Sequence, residues 1–164
     1  MPNWEPNKWN SDVYIKRSHN CYTYAMNILE TSFSKNIKDF CEKDNGLCPR
    51  PQPGMKSGKP DITGKKFTIN KLVKYIKLDF PSVREYSLKK KIPKGYYRIA
   101  IFLKSDYTDY HFYRLDNNGI WSHKDGWRTA KNKDSKGRLI RDPIQSSKLE
   151  NKYPVFAGYY IKKY

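Results

Sequence analysis

No run of about 18 apolar residues occurs anywhere in the chain, so nothing in it reads as a membrane-spanning helix. The opening residues, Met1-Pro-Asn-Trp-Glu-Pro-Asn-Lys-Trp9, have no apolar core and so do not read as a secretion signal. Acidic residues are scarce: Asp and Glu number 16 against 33 Lys and Arg, a net charge of +17. Few of those carboxylates lie near a histidine, which argues against a hard-cation nuclease built on His19, His111 or His123. Cysteine occurs three times, at Cys21, Cys41 and Cys48, so a fully paired disulfide framework is excluded and at least one thiol is unpaired within the chain. Cys41 and Cys48 bracket a short polar turn that they can close. Their spacing does not match a zinc knuckle, and no fourth ligand is evident.

Aromatic residues, by contrast, make up 15% of the sequence, with 14 tyrosines. Disordered chains lack such rings, so this one folds, around an aromatic core. Its 164 residues fit a single domain spanning 1–164. The basic surface attracts polyanions such as nucleic acid, anionic headgroups or acidic polymers. A/T-rich codons also supply Lys, Asn, Ile and Tyr, so charge alone assigns no partner.

Residues 1–18 are polar, with two prolines, and read as an extended arm held down by Trp4 and Trp9. Residues 20–33 carry an apolar stripe, Tyr22, Ala25, Met26, Leu29 and Phe33, at helical spacing. Ser18 or Asn20 can cap this helix, which places Cys21 in its first turn. Residues 41–66 read as a long loop that contains Pro51-Gln-Pro-Gly54. Thr68 caps a second helix over residues 69–78, which ends before Pro81. Residues 95–103 end in a continuous apolar run that suits a central strand. Residues 109–115 and 120–123 flank Asp116-Asn-Asn-Gly119, a hairpin signal. Residues 125–151 are turn-rich, with a turn at 134–137, and residues 153–161 read as a closing strand. The expected fold class is therefore α+β, an N-terminal helix carrying the cysteine packed on a mostly antiparallel sheet.

A cysteine in the first turn of a helix meets unpaired amides and the positive end of the dipole, which favour thiolate and can line an oxyanion hole. A thiol nucleophile also needs an imidazole to exchange its proton. A three-residue turn with Gly119 left-handed sets Asp116 opposite Ile120 and Tyr113 opposite His123, which puts His111, Tyr113 and His123 on one face. A two-residue turn would put His123 on the other. Gln52 can donate to an oxyanion, and Asp116 can orient His111. Each also has a plain structural reading.

The segments His19-Asn-Cys-Tyr-Thr-Tyr-Ala25, Asp109-Tyr-His-Phe-Tyr113 and Gly119-Ile-Trp-Ser-His123 follow the order helix-borne Cys, strand-borne His, then a polar orienter on the next strand. That order resembles the papain-like cysteine peptidase and amidase superfamily, and the second His resembles its NlpC-type branch. The resemblance implies a papain-like core, with Cys21 as nucleophile, His111 as base and His123 as the orienter of His111. It implies no cofactor or metal, and a peptide, protein or peptidoglycan-like substrate. It covers about a third of the chain, which has Asn20-Cys21-Tyr22 where NlpC-type enzymes carry Asp-Cys-Ser. The expected function is a thiol hydrolase of a peptide, isopeptide or amide bond, steered by charge to an acidic substrate. The alternative is a basic polyanion-binding or nucleic-acid-binding protein without catalysis, with Lys, Arg and Tyr interleaved over residues 89–98.

Overall fold

The computed structural model describes residues 1–29, 41, 48 and 50–164. The predicted extended arm is instead two short helices, α1 (Asn7–Asn10) and α2 (Val13–Ser18). Asp12 explains the second: its carboxylate accepts the amides of Tyr14 and Ile15, a side-chain cap that is absent from an extended chain. Trp9 is buried against Tyr24 and Ala130, as its role as an anchor predicts.

The cysteine helix, α3 (Cys21–Ala25), is shorter than the stripe predicts. It stops because Asn27 turns left-handed, with φ +56°, and the Tyr24 and Ala25 carbonyls are taken by Arg114 and Tyr97. Residues 30–33 of the predicted helix lie outside the described residues. Of the long loop, residues 50–66 contain one 3-10 turn, Met55–Ser57. Asp79 pins that turn, accepting from Gly54 N, Ser57 N and Oγ, and Tyr22 Oη. Helix α4 (Ile69–Asp79) is capped by Thr68, as predicted.

Six strands form one antiparallel sheet: β1 (Arg84–Glu85), β2 (Tyr96–Leu103), β3 (Tyr110–Leu115), β4 (Trp121–Lys124), β5 (Ala130–Lys131) and β6 (Val155–Lys163). Their order is β1-β6-β2-β3-β4-β5. The fold class is thus α+β. Central β2 is the continuous apolar run, buried along nearly its whole length. The β3–β4 hairpin has the three-residue turn: Gly119 has φ +76°, Asp116 pairs with Ile120, and Tyr113 lies opposite His123.

One sheet face packs Tyr97, Ile99, Ile101, Tyr110 and Phe112 against α3 and α4. The other packs Ala100, Phe102, Tyr113 and Trp121 under Ile140 and Tyr153. That second face is partly covered by α5 (Pro143–Glu150), which the turn-rich reading of residues 125–151 did not contain. Its start is nonetheless written in the sequence, as Asp142 at the cap and Pro143 in the first turn. Among the described residues no helix is long and apolar enough to cross a membrane.

Candidate active site

Asn20 begins the site. Its Oδ1 accepts the Tyr22 and Thr23 amides at 3.1 Å each, and Thr23 Oγ1 returns a bond from the Asn20 amide, a reciprocal capping box. Asn20 Nδ2 donates to the Pro51 carbonyl at 2.9 Å, tying the cap to the Pro-Gln-Pro loop. The cap leaves the amide of Cys21 itself unclaimed by Asn20. Cys21 is the free thiol, since Cys41 and Cys48 form a disulfide. Its Sγ lies 3.9 Å from the Tyr110 carbonyl, against the β3 backbone next to His111.

Cys21 and His111 line the same cleft, of about 570 Å³, together with Asn20, Gln52, Asp109 and Tyr153. The ring of His111 stacks on Tyr153 at 5.1 Å and meets Tyr113 edge-on. His111 Nε2 is bonded to His123 Nδ1 at 2.6 Å. His123 stacks on Tyr113 at 4.5 Å, as the three-residue turn requires. With Nε2 committed to His123, Nδ1 is the nitrogen of His111 left to act in the cleft. If Nδ1 is to accept a proton, Nε2 carries the hydrogen and His123 Nδ1 accepts it. The hydrogen of His123 then sits on Nε2, which has no hydrogen-bond partner among the described residues and whose neighbouring carboxylate is Glu150 Oε1, 3.9 Å away. Sequence reasoning missed Glu150 because it missed α5.

The other candidates go elsewhere. Asp116 does not orient His111. It is buried, ion-paired to Arg114 at 2.8 Å and bonded to Ser122 at 2.5 Å. His19 is buried, with Nε2 on the Leu29 carbonyl at 2.8 Å. Arg98, part of the interleaved basic and aromatic stretch over residues 89–98, is buried and bonded to the Ser87 and Lys90 carbonyls. Gln52 does face the cleft. Its Oε1 accepts from Tyr110 Oη and, at 3.5 Å, from Asn20, so its Nε2 is the group left to donate. Among the described residues no three His, Cys, Asp or Glu side chains group as metal ligands.

Charge is where the site departs from expectation. Burial pushes the Cys21 thiol up to about 12, and the Asp109 carboxylate adds to the rise, while a backbone bond from Phe112 opposes it. The five-residue α3 is too short a dipole to offset that burial. Burial also lowers His111 to about 4 and holds His123 well below its ordinary value. The resting site is therefore a neutral thiol and a neutral imidazole that line one cleft without a hydrogen bond between them, not the thiolate expected from the helix position.

Below the cleft, Lys124 Nζ donates to the carbonyls of Lys16 at 2.5 Å, Gly126 at 2.6 Å and His19. It ties β4 and the following turn to the α2–α3 junction, and so fixes where α3 begins.

No family model matches the chain, and no solved structure does. The chain is similar to insoluble matrix shell protein 1 of Ruditapes philippinarum, with 32% identity over 159 residues, covering 95% of this chain and 86% of that protein.

Proposed function

The chain belongs to the family of insoluble matrix shell protein 1, and from the geometry of its cleft we propose that it is a thiol hydrolase of peptide, isopeptide or amide bonds with a papain-like Cys–His site. One observation carries the reading. His111 and the chain's free thiol share a cleft at a capped helix start, while the far nitrogen of His111 is held by His123 at 2.6 Å. Burying a polar ring nitrogen without a hydrogen bond is costly, and His123 Nε2 has no partner among the described residues, while strongly perturbed groups in a cleft point to a functional site.

Because both groups rest neutral, His111 works as a general base at the moment of attack. The proton of Cys21 Sγ passes to His111 Nδ1 as the sulfur bonds to the carbonyl carbon. The oxyanion is met by the Cys21 amide and Gln52 Nε2. His111 then protonates the leaving amine as the C–N bond breaks, giving an acyl-thioester. Water, deprotonated by the same imidazole, releases the acid and the free thiol. His123 keeps His111 in the tautomer with Nδ1 unprotonated.

The test is incubation of the whole protein with a mixed peptide set, read by mass spectrometry. New amine termini and an acyl adduct on Cys21 are expected, both lost in Cys21→Ala and His111→Ala. Cleavage that survives Cys21→Ala would remove the reading.

The relative's name favours a second reading. A protein named for an insoluble shell matrix, together with a charge of +17, points to retention on an anionic matrix without catalysis. The Cys41–Cys48 disulfide fits an oxidising compartment under either reading. Unchanged matrix or polyanion retention in Cys21→Ala, with no cleavage by the wild type, would favour it.

A further inference from the structure

The cleft lining carries more cations than carboxylates. Arg50, Lys104, Arg128 and Lys152 line it against Asp109 and Asp125. Both acids are engaged: Asp125 pairs with Lys152 at 3.1 Å, and Asp109 Oδ2 accepts from Tyr153 Oη at 2.9 Å. Among the described residues no carboxylate pairs with Arg50 or Arg128. Trp127, at 60% exposure, stands on the same turn as Arg128, and the Arg50 guanidinium lies over its ring at 5.4 Å. Gly126 makes room for that stack. Its φ is +52°, and a Cβ there would come within 3.1 Å of Arg50 Nη1. A guanidinium laid on an indole keeps its N–H edge open, preorganised for a carboxylate fork.

We propose that this corner, formed by Arg50, Trp127 and Arg128, is an anion subsite that selects acidic peptides, seating a Glu or Asp side chain of the substrate beside the bond presented to Cys21. The assignment rests on the hydrolase reading for the position of the bond, and on the corner itself for the charge. A peptide is favoured over a nucleic acid because the cleft joins the cations to a thiol–imidazole pair suited to carbonyl chemistry, and nucleic acid offers no amide in its backbone.

The test uses full-length Cys21→Ala protein, so that the peptide survives, with a fluorescent Glu-rich peptide and its Gln counterpart at low salt. The Glu peptide should bind about tenfold tighter or more, the scale of a charge-assisted contact. Arg50→Gln and Arg128→Gln should each remove most of that difference. A control, Lys89→Gln/Lys90→Gln/Lys91→Gln, removes exposed charge outside the cleft and should preserve it. Equal binding of the two peptides overturns the inference. So does a preference lost in the lysine control but kept in the arginine variants, or tighter binding of single-stranded DNA that the arginine variants abolish. Cleavage of both peptides alike by wild type would remove the subsite and spare the hydrolase. Preference for Glu without any cleavage would do the reverse.

Discussion

His123 sits between two partners, and the two distances differ in meaning. At 2.6 Å its Nδ1 shares a hydrogen with His111, while Glu150 Oε1, at 3.9 Å, is beyond hydrogen-bond reach and is paired with Lys131 at 3.1 Å. The ranking of substitutions follows. His111→Ala removes the proton acceptor and should lower kcat by about 100- to 10,000-fold. His123→Ala should lower kcat less and leave KM nearly unchanged. Glu150→Gln should have a smaller effect still, in kcat alone. Equal losses for all three, measured on one peptide, would mean that the pair acts through the fold rather than through the tautomer. The neutral pair also makes a pH statement. The folded chain holds His111 unprotonated down to about pH 4, whereas the unfolded chain protonates it near its ordinary 6.5. Between those values the unfolded state binds more protons, so stability falls as pH drops through that window and is fully present above it. Denaturant midpoints at pH 7, 5.5 and 4.5 should fall in that order, and His111→Gln should flatten the trend. Iodoacetamide labelling of Cys21 in free protein should stay slow at neutral pH and rise only in strong alkali, since burial pushes the thiol up to about 12. A labelling midpoint near pH 6 would show a thiolate and sink this description.

The elements that could be read from the sequence are those whose cause is local. The hairpin followed from Gly119 at the third turn position, and with it the shared face of His111, Tyr113 and His123. The start of α3 followed from Asn20, and that of α4 from Thr68. What could not be read depends on partners distant in sequence. The end of α3 is set by Arg114, whose guanidinium takes the Tyr24 carbonyl and Asn27 Oδ1 while its Nε holds Asp116. Nothing near residue 25 announces an arginine 89 positions further on. The burial that keeps Cys21 protonated is likewise a tertiary fact, although its helix position was plain. Helix α5 was missed because it shows no apolar stripe, and Glu150 was missed with it. Arg114 gives this scale its prediction. The Arg114–Asp116 pair is fully buried, and removing one partner strands the other's charge. Arg114→Met should lower unfolding free energy by about 3–5 kcal/mol, as buried pairs do when broken. The double variant Arg114→Met/Asp116→Leu should recover part of the loss. No recovery, by denaturant titration, would assign the cost to the α3 carbonyl contacts instead.

At the scale of the whole molecule, the charge acts on the fold as well as on partners. A chain with +17 repels itself, and among the described residues few ion pairs counter that. Those at the surface, such as Lys8–Glu5, are exposed and worth about 0–1 kcal/mol each. The well-buried pair, Arg114–Asp116, is shielded from salt by its burial. Added salt therefore screens a net repulsion more than it weakens attractions, and the melting temperature at pH 7 should rise between 20 and about 200 mM NaCl, where the Debye length shrinks to below roughly 10 Å. A polyanion such as polyglutamate should raise it further at low salt, because it binds the compact basic surface, and that extra rise should vanish in the same salt range. Arg50→Gln/Arg128→Gln should leave the NaCl effect intact, since two charges in a cleft mouth scarcely alter the global field, while it reduces binding of short acidic peptides. A melting temperature that falls as salt is added would mean that specific ion pairs, not the excess of lysine and arginine, dominate the electrostatics of this fold.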